Sequence, residues 1–254
     1  MRRTSLQAVV HECDRVLCPE SFTDWENAFN GLQVANRDGV TRIVAAVDAS
    51  LTTVRLAIEA SASLLLVHHG LFWSRRHPWT GVNHELMRCL VEGDLAVYSA
   101  HLPLDAHPRL GNNALLCRSL GLRRLKPFFV SKGRPIGFKT STTIPRDELA
   151  TRLAGITGGS NIKVLPGGPP VCRNIGVVSG GAGGELKQAV DEGVDTFITG
   201  EGPHWTFALA EELRINVLYG GHYATETFGV KALAEHLSRK FALPWEFLDH
   251  PTGL

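Results

Sequence analysis

Three apolar runs end in histidine. Leu64-Leu65-Leu66-Val67 leads into His68-His69-Gly70, Leu95-Ala96-Val97-Tyr98 into Ser99-Ala100-His101, and Val217-Leu218-Tyr219 into Gly220-Gly221-His222. In open α/β sheets, loops and helix starts meet beyond the carboxyl ends of the strands, so side chains delivered there can converge. Neighbouring histidines are, taken alone, commonly exposed polar residues. On an extended strand His68 and His69 point to opposite faces. One shared ion would then require the backbone to curl after Val67, with Gly70 supplying the freedom, and two neighbouring ions suit the pair better. His222 and Glu226 lie four residues apart at the opening of a predicted helix, on one face. That spacing suits chelation, and also an ordinary surface pair.

The segment His101-Leu102-Pro103-Leu104-Asp105-Ala106-His107-Pro108 carries two prolines, which argue against a regular helix and for a stiff loop that can aim a ligand. Asp105 is the candidate ligand there, or else it caps the helix predicted near Gly111 or bonds within its own turn. His101 is a candidate proton carrier, or it orients a carboxylate or a water. The resulting ligand set is His68, His69, Asp105, His222 and Glu226. Nitrogen and oxygen donors without thiolate suit Zn, Fe, Mn, Co or Ni. Two divalent ions exceed the charge of two carboxylates, which leaves room for hydroxide or an anionic substrate and makes the site look catalytic.

Two further segments are candidates for the same pocket. Ser179-Gly180-Gly181-Ala182-Gly183-Gly184 follows a strand and opens a helix, where backbone N–H groups can hold a phosphate or simply make a tight turn. Glu201, at the end of another strand, is a candidate general acid or base, or a carboxylate stabilising a helix start.

The elements that must position these residues alternate. A helix over 4–17, with Thr4 as a possible cap, is followed by strand 42–48 and a helix capped by Ser50 to about Ala62. Strand 63–67, helix 83–93, strand 94–100 and helix 111–120 follow. Later come strand 173–179, helix 184–193, strand 194–199, helix 204–213, strand 215–219 and helix 223–240. Between the two series, 121–172 is less regular, with a strand at Ile136–Thr140 and a helix starting at Pro145. This pattern predicts an α/β fold of two lobes with largely parallel or mixed sheets flanked by helices, 1–124 and 125–254, the change falling near Leu125.

The chain has 254 residues, is 44% hydrophobic and carries a net charge of +1, which is globular composition without the bulk charge that draws a protein to nucleic acid or membrane. A basic cluster of Arg123, Arg124, Lys126, Lys132 and Arg134 is the weaker case for nucleic-acid binding, or a solvated face. Five scattered cysteines fit a reducing cytoplasm rather than a disulfide framework. The basic start Met1-Arg2-Arg3 is not followed by an apolar export segment, and no run is long enough for a membrane-spanning helix.

The motifs VHHGLFW at 67–73, HLPLDAHPRLGNNA at 101–114, TGE at 199–201 and GGHYATE at 220–226, with NGLQV at 30–34, resemble the Ngg-one-interacting-factor-three-like family. Its bacterial members are often labelled GTP cyclohydrolase one type two homologues. The resemblance implies two α/β domains, a dinuclear metal centre at the interface between lobes, and a toroidal homohexamer. It maps the ligands onto the same five residues and places His101 near them. The leading expectation is a cytoplasmic dinuclear metal-dependent hydrolase of a nucleotide-like or phosphorylated small molecule, with His101 or Glu201 moving protons. The alternative is a non-enzymatic metal-binding interaction or regulatory scaffold.

Overall fold

The structure is a computed structural model that describes residues 3–37, 39–72, 78–159 and 162–253. Met1 and Arg2 of the basic start, and Trp73 at the end of the VHHGLFW motif, lie outside them. The chain forms two compact units, Met1–Leu104 with Gly229–His250, and Asp105–Phe228 with Pro251–Leu254. The change of composition near Leu125 marks instead the start of the second unit's sheet, whose first strand is Lys126–Ser131.

The first unit holds a five-stranded sheet in the order Gly31–Val34, Ala96–Ser99, Leu64–His69, Ile43–Asp48, Trp245–Phe247. Gly31–Val34 runs antiparallel to its neighbour, and the other pairings are parallel. The central strands are apolar without alternation because both faces are covered, so Ile43 to Val47 and Leu64 to Val67 are buried throughout. Helices Leu51–Glu59 and Gly81–Glu92 contribute Val54, Ala57 and Leu90 to the core around Val44, Leu65 and Val97. The edge strand Gly31–Val34 falls where a loop was expected, and Trp245–Phe247 lies beyond the last predicted helix. Both are short strands that find their partner only in the tertiary structure.

The second unit holds six strands in the order Lys126–Ser131, Arg134–Pro145, Val171–Val177, Thr196–Thr199, Asn216–Tyr219, Lys163–Pro166. The three strands from Val171 to Tyr219 are mutually parallel and the flanking pairings antiparallel, so both sheets are mixed α/β. Helices Asn112–Ser119 and Arg146–Ile156 cover it through Leu116, Leu149 and Leu153, packed around Ile175, Ile198 and Leu218. Of the basic cluster, Lys126 and Arg134 sit on the outermost hairpin, where charged side chains discourage further strand pairing.

Two local expectations are corrected. Ser5, not Thr4, caps the first helix, Leu6–Leu17, accepting from the Ala8 N–H. Thr4 is held in a bridge with Val40. The two prolines do not prevent a helical turn at Leu102–Asp105, because Pro103 falls in the first turn, where its missing N–H has no partner to lose. Ser50 does cap its helix, in a reciprocal box with Thr53. That helix ends at Glu59 rather than near Ala62, since the Ala62 N–H turns back to the Ala57 carbonyl. Among the described residues no helix is long and apolar enough to cross a membrane, and all five cysteines are free.

Candidate metal centre

In the first unit three imidazoles meet at the carboxyl ends of adjacent strands. His68 and His69 close the strand Leu64–His69, and His101 follows Ala96–Ser99 by two residues. The ring centroids of His68 lie 4.8 Å from His69 and 4.9 Å from His101, with 5.6 Å between His69 and His101. One donor atom from each ring lies within 4.8 Å of the other two, a spacing that can hold a metal ion. No curl after Val67 brings this about. The ladder continues through His69, which pairs with Asp48.

The rings converge because each is drawn across the strand end by an oxygen on a neighbouring segment. Nδ1 of His68 is 2.8 Å from the Ala100 carbonyl, Nδ1 of His69 is 2.8 Å from Asp48 Oδ1, and Nδ1 of His101 is 2.8 Å from Asp24 Oδ1. Gly70 serves a different purpose from the one expected. A Cβ there would run into the Gln33 carboxamide, so glycine is required by close approach.

Asp24 is itself well held. Its Oδ2 accepts from Asn30 at 2.8 Å and its Oδ1 from the Trp25 N–H at 2.7 Å. Burial opposes its charge, but the hydrogen bond and charge of His101, with help from Asn30 and Trp25, bring its pKa down to about 2.

In the second unit the three parallel strands deliver Ser179, Glu201 and His222 just past their ends. His222 Nε2 lies 3.3 Å from Glu226 Oε2 one helical turn on, and His222 Nδ1 lies 2.8 Å from Glu201 Oε1. Burial disfavours a charged His222, yet the two carboxylates outweigh it and raise its pKa to about 9. Glu226 is buried, and a Cβ on Gly180, whose φ is +68°, would collide with its carboxylate. Asp105 is buried too. Its Oδ1 accepts from Asn112 Nδ2 at 2.9 Å and from Ser179 Oγ at 3.1 Å, so it caps no helix.

The Ser179–Gly184 segment is a tight turn. The N–H groups of Ser179, Gly180, Ala182 and Gly183 go to Asn113 Oδ1, Thr225 Oγ1, Thr199 Oγ1 and the Glu201 carbonyl, which leaves them unavailable to a phosphate. A 3₁₀ turn at Ala182–Glu185 intervenes before the short helix Leu186–Asp191.

Four histidines therefore share one pattern, an Nδ1–H donated to a carbonyl or carboxylate oxygen. That partner fixes the proton on Nδ1 and the lone pair on Nε2, the tautomer a metal-binding imidazole adopts. With the carboxylates of Asp105 and Glu226, the donors fit divalent ions that favour nitrogen and oxygen. Sequence reasoning passed over the orienting residues Asp24, Asp48, Asn112 and Ser179. Asp48 ends an apolar strand as the histidines do, and that signal could have marked it. Asp24 lies in a loop with no such mark.

A model of the Duf34/NIF3 (NGG1p interacting factor 3) family matches residues 4–252. A Deinococcus radiodurans protein called GTP cyclohydrolase 1 type 2 homolog is 45% identical over 231 residues, covering 89% of this chain and 87% of that one. A relative of the same name from Archaeoglobus fulgidus is 39% identical over 252 residues, 98% of this chain and 100% of its own. The crystal structure of a Thermus thermophilus protein is similar with a TM-score of 0.90 and 41% identity, covering 99% of this chain and 100% of that one. With a family model spanning nearly its whole length and relatives of this similarity, the chain belongs to the Duf34/NIF3 family.

Proposed function

We propose that this protein is a dinuclear metal-dependent hydrolase of a nucleotide-like or phosphorylated small molecule, with His68, His69, Asp105, His222 and Glu226 as ligands to two divalent ions. The observation that carries the reading is the shared Nδ1 hydrogen bond, 2.8 Å long at each of four histidines. Imidazoles with no task beyond the surface have no reason to be held in one tautomer by buried or half-buried oxygens. When bound, such ions supply Lewis acidity and lower the pKa of water. Asp48 and the Ala100 carbonyl keep the Nε2 lone pairs of His69 and His68 available for coordination. Glu201 acts through His222, holding its tautomer. Asn112 and Ser179 fix the rotation of the Asp105 carboxylate.

His101 takes the proton-handling role. Asp24 holds its Nδ1–H and stabilises the imidazolium formed when Nε2 accepts a proton, the division of labour of a carboxylate–imidazole pair. The substrate is small and anionic, in keeping with donors whose negative charge does not balance two divalent ions. The name shared by the relatives makes GTP the first substrate to try. The protein works in the cytoplasm, with free thiols, as the homo-oligomer that the family resemblance implies.

The test strips the protein with chelator, reloads it with Zn, Fe, Mn, Co or Ni, and screens nucleotides, cyclic nucleotides and phosphodiesters. Turnover should return only with metal and vanish in His68→Ala and Glu226→Ala. Turnover that ignores the chelator or survives both variants refutes the mechanism. Tight metal binding with no turnover across the screen favours the interaction scaffold.

A further inference from the structure

Three exposed aromatic side chains of the first unit stand beside the residues that hold its imidazoles: Trp25 at 54%, Phe29 at 53% and Phe72 at 41% exposure. Trp25 follows Asp24, and its N–H donates to the same Oδ1 that accepts from His101. Phe29 precedes Asn30, whose carboxamide donates to Asp24 and accepts from the His101 backbone N–H at 2.7 Å. Phe72 follows His69 by three residues.

Gln33 couples the two phenyl rings. Its Oε1 accepts from the Leu71 N–H at 2.6 Å and its Nε2 donates to the Phe29 carbonyl at 2.8 Å, across the close approach that Gly70 permits. The rings of Phe29 and Phe72 then meet edge to face, 6.5 Å between centroids and 84° between planes. This contact buries little of either ring. Hydrogen bonds that could have let the rings turn inward instead hold them in water, on the loops that bear the histidines, and a grouped exposed apolar patch of this kind marks a binding site.

We propose that Phe29 and Phe72, with Trp25 at their side, form a stacking platform for a planar heteroaromatic ring, so that the substrate is a base-bearing molecule whose anionic part reaches the histidines. This deepens the metal-dependent reading above and rests on it for the anionic contact. Aromatic faces accept any base, so the platform contributes affinity for the ring, and the choice among bases falls to polar neighbours. The mixture of amide, carboxylate and imidazole groups beside the rings suits a ring with polar edges better than a wholly apolar partner.

The test compares GTP and ATP with inorganic tripolyphosphate by calorimetry on the full metal-loaded chain and again after chelator. Wild type should bind at least one nucleotide about 10-fold more tightly than tripolyphosphate, a ratio within the range of base–aromatic stacking. Phe29→Leu with Phe72→Leu keeps the apolar volume and removes the π faces. It should bring that ratio close to one while metal content and tripolyphosphate affinity hold. Equal affinity for nucleotides and tripolyphosphate in wild type, binding of neither nucleotide, or a nucleotide preference that survives in the double variant each overturns the proposal. So does a fall in oligomeric mass of the double variant at unchanged nucleotide affinity, which assigns the face to contacts between copies. Failure of the metal reading is separate: all affinities then ignore chelator, while a platform still shows in the ratio.

Discussion

An imidazole that donates Nδ1–H to oxygen presents its lone pair at Nε2, and here that choice is made by residues far away in the chain. Asp24 is 77 positions from His101, Asp48 21 from His69, and Ala100 32 from His68. The carboxylate of Asp105 is fixed in the same manner by Asn112 and Ser179, all of them buried. A buried polar network costs stability unless every member is satisfied, so its retention points to the carboxylate it orients. Asn112→Ala and Ser179→Ala should each weaken metal affinity about 10- to 100-fold, the usual cost of losing a group that orients a ligand. Competition against a chromophoric chelator measures this, with circular dichroism to show that the fold survives. Unchanged affinity in both variants would remove Asp105 from the ligand set. Ligand types and their strand-end positions were legible from sequence, because apolar runs that stop at histidine can be read directly. Their oxygen partners were not, since nothing local in Asp24 or Asn112 announces a contact so distant along the chain.

At the scale of elements, the first helix and the last long helix of the first unit are tied through one buried carboxylate. Glu12, on Leu6–Leu17, accepts from Arg15 at 2.7 and 2.8 Å and from His236 at 2.7 Å, and is paired with Lys240; His236 and Lys240 lie on His222–Phe241. Arg15 first, then Lys240 and His236, hold the carboxyl well below its usual range against the opposing effect of burial. A depressed folded-state pKa contributes stability that is complete above the unfolded value near 4.5 and is lost as pH falls below it. The stability advantage of wild type over Glu12→Gln should therefore be about 1–2 kcal/mol at neutral pH, modest because Arg15 is largely exposed, and should shrink below pH ~4.5. Urea unfolding at pH 7, 5 and 3 measures it, and an advantage that grows on acidification would contradict the assignment. Most of these helices and strands were legible because their apolar periodicity is strong. The edge strands Gly31–Val34, Lys126–Ser131 and Lys163–Pro166 were not, because a short strand with one partner is defined by that partner.

For the whole molecule, a metal that binds the folded chain and not the unfolded one must raise its stability by mass action. At metal 100-fold above its dissociation constant the gain is about 2.7 kcal/mol. For a chain of this length that corresponds to about 5–10 °C in Tm. Melting curves with and without chelator should separate by that amount in wild type and coincide in His68→Ala with Glu226→Ala. Coincident curves in wild type would count against a resident metal. The sequence by itself determined the α/β class, the family and the kinds of donor atom, since hydrophobic period and ordered motifs are properties of the chain alone. Tertiary structure decided the compact units, with the residues from Gly229 returning to the first of them, and the tautomer of each histidine. Both depend on which distant segments pack together, and burial and hydrogen-bond partners are settled by that packing.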